Sequence, residues 1–81
     1  RQQIESAIEQ GRYEEAVAAF RRVTEKPEAY NNVGYLSLHN DDLGAARKYL
    51  GKAVRLSPQY YERAYENLEA VERRARQAGT D

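Results

Sequence analysis

The sequence has no cysteine, no methionine and no tryptophan, and only two prolines and five glycines among its 81 residues. Without cysteine there is neither a disulfide framework nor a thiolate metal site. An excess of charge is also missing: Lys plus Arg and Asp plus Glu number 13 each. The balance holds along the chain, with five of each sign in residues 1–26, four basic and three acidic in 27–56, and four basic and five acidic in 57–81. No segment is a basic arm that gathers phosphates or an anionic bilayer surface, so no nucleic-acid partner and no membrane insertion are expected. No apolar run approaches the roughly 18 residues needed to span a bilayer. Nor does a basic-then-apolar leader open the chain. The compartment stays open between the cytoplasm and a bacterial periplasm. The missing methionine suggests a piece of a longer protein, with any targeting signal expected outside it.

Catalytic groupings are lacking too. There is no thiol nucleophile, no glycine-rich phosphate loop, and the lone imidazole, His39, has no evident serine partner. The glutamates are scattered over outer helix faces, where solvation is their ordinary role. No enzyme, no cofactor and no metal is expected.

What is present is helical periodicity. Ile4, Ala7 and Ile8 recur at helix spacing, and Gly11 supplies a stop. Tyr13, Ala16, Val17, Phe20 and Val23 form the next apolar stripe. Pro27 suits a first helical turn, after which Tyr30, Val33, Gly34 and Ser37 share a face. Asn40-Asp41 breaks that helix and can cap the following one, whose stripe is Leu43, Ala46, Leu50, Ala53 and Val54. Ser57-Pro58 reads as a helix start, a hydroxyl cap followed by a ring that fixes φ. The last helix then carries Tyr61, Ala64, Tyr65, Leu68, Val71 and Ala75, with Glu69–Arg73 and Glu72–Arg76 spaced as ion pairs on its outer side. The expectation is five helices joined by turns of two to four residues.

These helices repeat. Gly11-Arg12-Tyr13-Glu14-Glu15-Ala16 aligns with Asp41-Asp42-Leu43-Gly44-Ala45-Ala46, and Phe20 aligns with Leu50, all at one offset of thirty. Two helix pairs with one pattern imply that each pair covers an apolar face of the next.

At this point the chain resembles the tetratricopeptide repeat, whose signature runs W-x2-L-G-x2-Y, then A-x3-F, then P. Tyr30-x2-Val33-Gly34-x2-Ser37, Ala46-x3-Leu50, Ala53 and Pro58 follow it closely. Gly11-Arg12-Tyr13 and Ala16-x3-Phe20 retain its later part. The resemblance implies an all-α array of antiparallel helix pairs stacked with a superhelical twist. It divides a single domain, 1–81, into a shortened first repeat (1–26), a second repeat (27–58) and a capping helix (59–81). The offset of thirty, where thirty-four is usual, places about one missing helical turn in the second helix of the first pair. The run from Tyr60 to Leu68 is also similar to the ends of bacterial repeat proteins of pilus assembly and secretion.

The resemblance further implies a partner: a peptide or helix of another protein lying on the concave face, at Asn31, Asn32, Tyr35, Leu38 and His39. The two asparagine amides suit a peptide backbone, and Tyr35 offers a flat amphipathic contact. A carboxylate clamp, which some members build, is disfavoured. Arg1 and Asn32 stand where two of its groups belong, but Glu5 repels a carboxylate, and Arg63 and Asn67 fit only with a shifted register. His39 beside Asp41 and Asp42 does not make a metal site, because neighbours on a turn diverge; a helix C-terminus explains the imidazole. Tyr60, Tyr61 and Tyr65 cannot all point inward; they are expected to pack on the preceding repeat, the alternative being an aromatic patch exposed for a partner. Arg47, Lys48, Lys52 and Arg55 read as a solvated face. A second reading is self-association, in which the open first repeat, where Ile4 and Ile8 are short of neighbours, or the Tyr60–Tyr65 surface docks on another copy or exchanges helices with it. An engineered repeat protein is a third.

Overall fold

A computed structural model describes residues 2–79. It contains α1 (Gln2–Glu9), α2 (Tyr13–Arg21), α3 (Lys26–His39), α4 (Leu43–Leu56) and α5 (Glu62–Gly79), with no strand among the described residues. The helices form an array of helical hairpins. Its extents of 40 × 31 × 14 Å describe a thin slab. The accessible surface is 5386 Å², against about 5,000 Å² for a compact chain of this mass. Stacked layers bury less than a sphere does.

The turn inside each pair is built the same way. Gly11 has φ 78°, its N–H donates to Ile8 O, and the Arg12 N–H donates to Ala7 O. Thirty residues on, Asp41 has φ 65°, its N–H donates to Leu38 O, and the Asp42 N–H donates to Ser37 O. Both are left-handed helix ends in which the last carbonyls find donors. Glycine fits the first without strain; at the second an aspartate tolerates the same conformation. The cap of α4 then falls one residue later than Asn40-Asp41 suggests, because Asp42 Oδ1 accepts the Ala45 N–H at 3.1 Å.

Pro27 lies in the first turn of α3 as expected. Ser57-Pro58 does not start α5. Ser57 takes an extended conformation (ψ 130°) at the end of α4, and its hydroxyl donates to Gln59 O at 2.8 Å. A residue before proline is pushed out of the helical region, so the pair terminates α4. α5 begins at Glu62, which makes this connection longer than the two to four residues anticipated.

The tightest contact joins α3 to α4 at Gly34, where a Cβ would meet Leu50 Cγ at 2.6 Å. Around it Val33, Ala46, Leu50 and Ala53 are fully enclosed. Ser37 is buried as well and donates its hydroxyl back to Val33 O at 2.7 Å, within its own helix. α5 closes the far side with Ala64 and Val71. α2 has nine residues against fourteen in α4, so the helix stops before Val23, which is 80% exposed and leaves the apolar stripe. Ile8, expected to lack neighbours, is buried in the main core cluster, and Asn40 Nδ2 donates to its carbonyl at 3.5 Å.

Candidate partner-binding face

α3 carries all five anticipated contact residues, and the structure divides them. Asn31 is 2% exposed, and its Oδ1 accepts from Asn67 Nδ2 of α5 at 3.0 Å. Leu38 is buried against Ala46, Leu50 and Val71. Neither lies on an open surface: α5 packs along this edge of α3 and encloses both. Asn32 is half-buried. Tyr35 and His39, one turn apart, are exposed and meet edge-to-face with ring centroids 4.4 Å apart. Such a pair holds both rings in one geometry before any partner arrives, which reduces the entropy lost on binding.

His39 also borders a groove of about 1300 Å³ that runs between α1, α2 and the last turn of α3. Ile4, Ala18, Ala19 and Leu36 give it apolar surface, and Glu5 and Glu9 are exposed beside them. Asp41 and Asp42 do not turn toward the imidazole. Asp41 pairs with Arg74, and Asp42 accepts from both Ala45 and the Tyr13 hydroxyl. Among the described residues no three His, Asp or Glu side chains are grouped to hold a metal. For the clamp, Arg1 lies outside the described residues, and the Asn67 amide is engaged by Asn31.

The tyrosines divide between staple and surface. Tyr30 and Tyr49 stack at 5.9 Å, and Tyr13 tilts against Tyr49 at 5.7 Å. Tyr13 donates to Asp42, and Tyr49 donates to Glu14 at 2.7 Å, so each hydroxyl ties one repeat to the other. Burial, reinforced by the Asp42 carboxylate, pushes the Tyr13 hydroxyl up to about 12. The Tyr13 hydrogen bond, with that of the Ala45 N–H, holds Asp42 below the usual carboxylate range. Burial and then Glu14 raise Tyr49 likewise. Lys52 lies over the rings of Tyr30 and Tyr49, and Lys48 over Tyr49. Arg47 forks onto Glu72 at 3.0 and 3.4 Å, so that carboxylate reaches α4 rather than the anticipated Arg76. Arg47, Lys48 and Lys52 thus cover aromatic and acidic neighbours, while Arg55 is exposed. Tyr49 went unremarked in the sequence. Its one signal is the step of three from Ala46, which places it beside the stripe.

Of the last three tyrosines only Tyr61 packs inward, where burial raises its hydroxyl. Tyr60 is 76% exposed and stacks on exposed Tyr65 at 4.9 Å, nearly parallel. The late start of α5 leaves Tyr60 in the connection, and Tyr65 sits about 100° around the helix from buried Ala64. Packing on the preceding repeat thus holds for Tyr61 alone, and Tyr60 and Tyr65 form the exposed aromatic patch that is the alternative reading.

The family model of the tetratricopeptide repeat matches residues 5–25 and 27–60, more than half of the chain. The chain belongs to the tetratricopeptide repeat family. No curated protein and no solved structure matches it. The two matches cover the pairs α1–α2 and α3–α4, and α5 follows them. Tetratricopeptide modules are in general protein–protein interaction modules that bind proteins or peptides, and the family is typically one of non-enzymatic scaffolds. Among the described residues no helix is long and apolar enough to cross a membrane.

Proposed function

We propose that this tetratricopeptide module captures an extended or helical segment of a partner protein on the face that is concave in its family. The anchoring contacts are Tyr35 and His39, with Asn32 beside them. The observation that carries this reading is the exposed edge-to-face pair of Tyr35 and His39 on the first helix of the complete repeat, bordering the α1–α2–α3 groove. Aromatic side chains fixed in advance are the usual energetic centres of peptide recognition. Buried Asn31 and Leu38 take the role of support: Asn31 fixes α5 against α3 through Asn67. In this reading residues 1–26 form a shortened first repeat, 27–58 the second, and 59–81 the closing helix.

The test uses a displayed random-peptide library selected on the wild-type chain. Tyr35→Ala and His39→Ala together should weaken the selected peptides by about tenfold or more, while helicity stays unchanged. Equal binding to both proteins, or no enrichment on the wild type, overturns the reading.

A further inference from the structure

The outer faces of the first and last described helices differ. At the first end the α1–α2 groove has its apolar surface at Ile4, Ala18, Ala19 and Leu36, and exposed Glu5 and Glu9 beside it. Among the described residues no ion pair engages Glu5 or Glu9. At the other end α5 turns a strip away from its buried Ala64 and Val71. Tyr65, Leu68, Arg73 and Arg76 line a shallow hollow of about 480 Å³ there. Arg73 and Arg76 are exposed and, among the described residues, enter no ion pair, whereas Glu72 in the same strip is neutralised by Arg47. Arg22 in the groove and Glu69 in the strip are likewise exposed and unpaired among the described residues. One end therefore carries two free carboxylates and one guanidinium around an apolar hollow, and the other two free guanidinium groups and one carboxylate around Tyr65 and Leu68.

We infer that copies of this chain stack head to tail, with the α5 strip of one seated in the α1–α2 groove of the next. Arg73 and Arg76 then face Glu5 and Glu9, while Tyr65 and Leu68 cover Ile4, Ala18 and Ala19. Each contact continues the stacking already seen within the chain. Because the two surfaces are different, an open row of any length keeps one groove and one strip free at its ends. The contact is heterologous and grows to an open row or a closed ring, not to a two-fold dimer. The seated strip fills the groove that His39 borders, so a docked copy competes with a peptide at that end of the site; the charge-reversal variants leave Tyr35 and His39 unchanged and test the contact separately.

The experiment measures molar mass by light scattering at neutral pH from about 10 μM to about 1 mM, the range of weak specific contacts. The wild type should grow past two copies. Glu5→Lys/Glu9→Lys reverses the groove, and Arg73→Glu/Arg76→Glu reverses the strip. Either alone should move the association midpoint upward by about tenfold or more. An equal mixture of the two should recover growth, since each reversed surface then meets its complement. Circular dichroism checks the fold, and Glu5→Gln/Glu9→Gln replaces the first variant if α1 is lost. A wild type that stays monomeric, growth that stops at two copies, variants that assemble like the wild type, or a mixture that does not recover would each overturn the inference.

Discussion

Gly34 is where α3 and α4 come closest, and an alanine there tests how rigid that approach is. The added Cβ falls 2.6 Å from Leu50 Cγ, 2.8 Å from Cδ2 and 3.0 Å from the Leu50 backbone nitrogen. Leu50 has no exposed surface and is packed with Leu38, Ala46 and Val71, so its side chain has no free space to enter. The contact to its nitrogen is relieved only by moving α4 as a body. Overpacking of this kind costs about 1–3 kcal/mol, while exchanging glycine for alanine inside a helix returns about 1 kcal/mol. With two contacts below 3 Å the upper part of the first range applies, so the expected net loss is about 1–2 kcal/mol. That is a sizeable share of the roughly 4–12 kcal/mol ordinary for a chain of this length.

Gly51→Ala is the control, in the helix that Gly34 packs against. The nearest atom to its Cβ is Arg55 Nη1 at 3.3 Å, the tip of a flexible side chain that swings aside. The propensity gain is then uncompensated, and stability should rise by about 0.5–1 kcal/mol. Urea unfolding followed by circular dichroism measures both, with the slope watched for a change in cooperativity. The same substitution at two sites should give opposite signs. Gly34→Ala as stable as the wild type, or both substitutions shifting alike, refutes the claim that Leu50 sets the spacing of the pair.

Asp42→Ala removes the α4 cap and the acceptor of the Tyr13 hydroxyl together, and should lower stability by about 1–3 kcal/mol in urea unfolding; Asp42→Asn, which can still cap, should recover part of it. The same pair gives stability two pH limits. Asp42 titrates below its ordinary value when folded, so its contribution is present above the usual carboxylate range and is lost as pH falls through the lowered one. Tyr13 moves from 10.0 to about 12, so its contribution holds below pH 10.0 and is lost as pH climbs toward 12. Tyr13→Phe should flatten urea midpoints at both limits, although Tyr49 keeps some of the alkaline loss. Asn67→Ala leaves the buried Asn31 Oδ1 without its donor and should cost about 1–3 kcal/mol by urea unfolding, more than Asn31→Ala/Asn67→Ala relative to Asn31→Ala. Glu72→Gln, at the half-exposed pair with Arg47, should change stability by less than about 1 kcal/mol and less still in high salt.

The hairpin array was legible because its signals are local and agree with one another. Gly11 stops α1, Pro27 opens α3, and the offset of thirty brings the turns at Gly11 and Asp41 into register as two copies of one backbone motif. Gly34 and Ala46, both positions of the repeat signature, lie where that helix pair packs most closely. Misreadings fell where one signal has two meanings. A serine before proline suits a helix start, but the same proline forbids helical backbone at the serine and so ends the preceding helix just as well. Val23 continues the apolar spacing of α2, yet periodicity carries no information about where the chain leaves the helix. The Tyr13–Asp42 and Tyr49–Glu14 bonds join residues about thirty apart, and no local rule pairs them.

The partner face was legible in part, for a geometric reason. At 100° per residue Asn31 and Leu38 lie within about 20° of each other on α3, Tyr35 lies about 40° further round, and His39 and Asn32 follow at about 80° and 100°. The five residues therefore form one continuous surface on an isolated α3, and nothing in α3 says where burial ends. That limit is drawn by α5. Its Asn67 reaches Asn31 and its Val71 reaches Leu38, so the surface is cut between the Asn31–Leu38 edge and the Tyr35–His39 edge. α5 begins after Tyr60, where the second family match ends, so the repeat pattern that nominated the five positions does not describe the helix that covers two of them. Where a helix outside the repeat pattern packs on such an array, the groove positions nearest that helix are the ones whose exposure the pattern cannot assign.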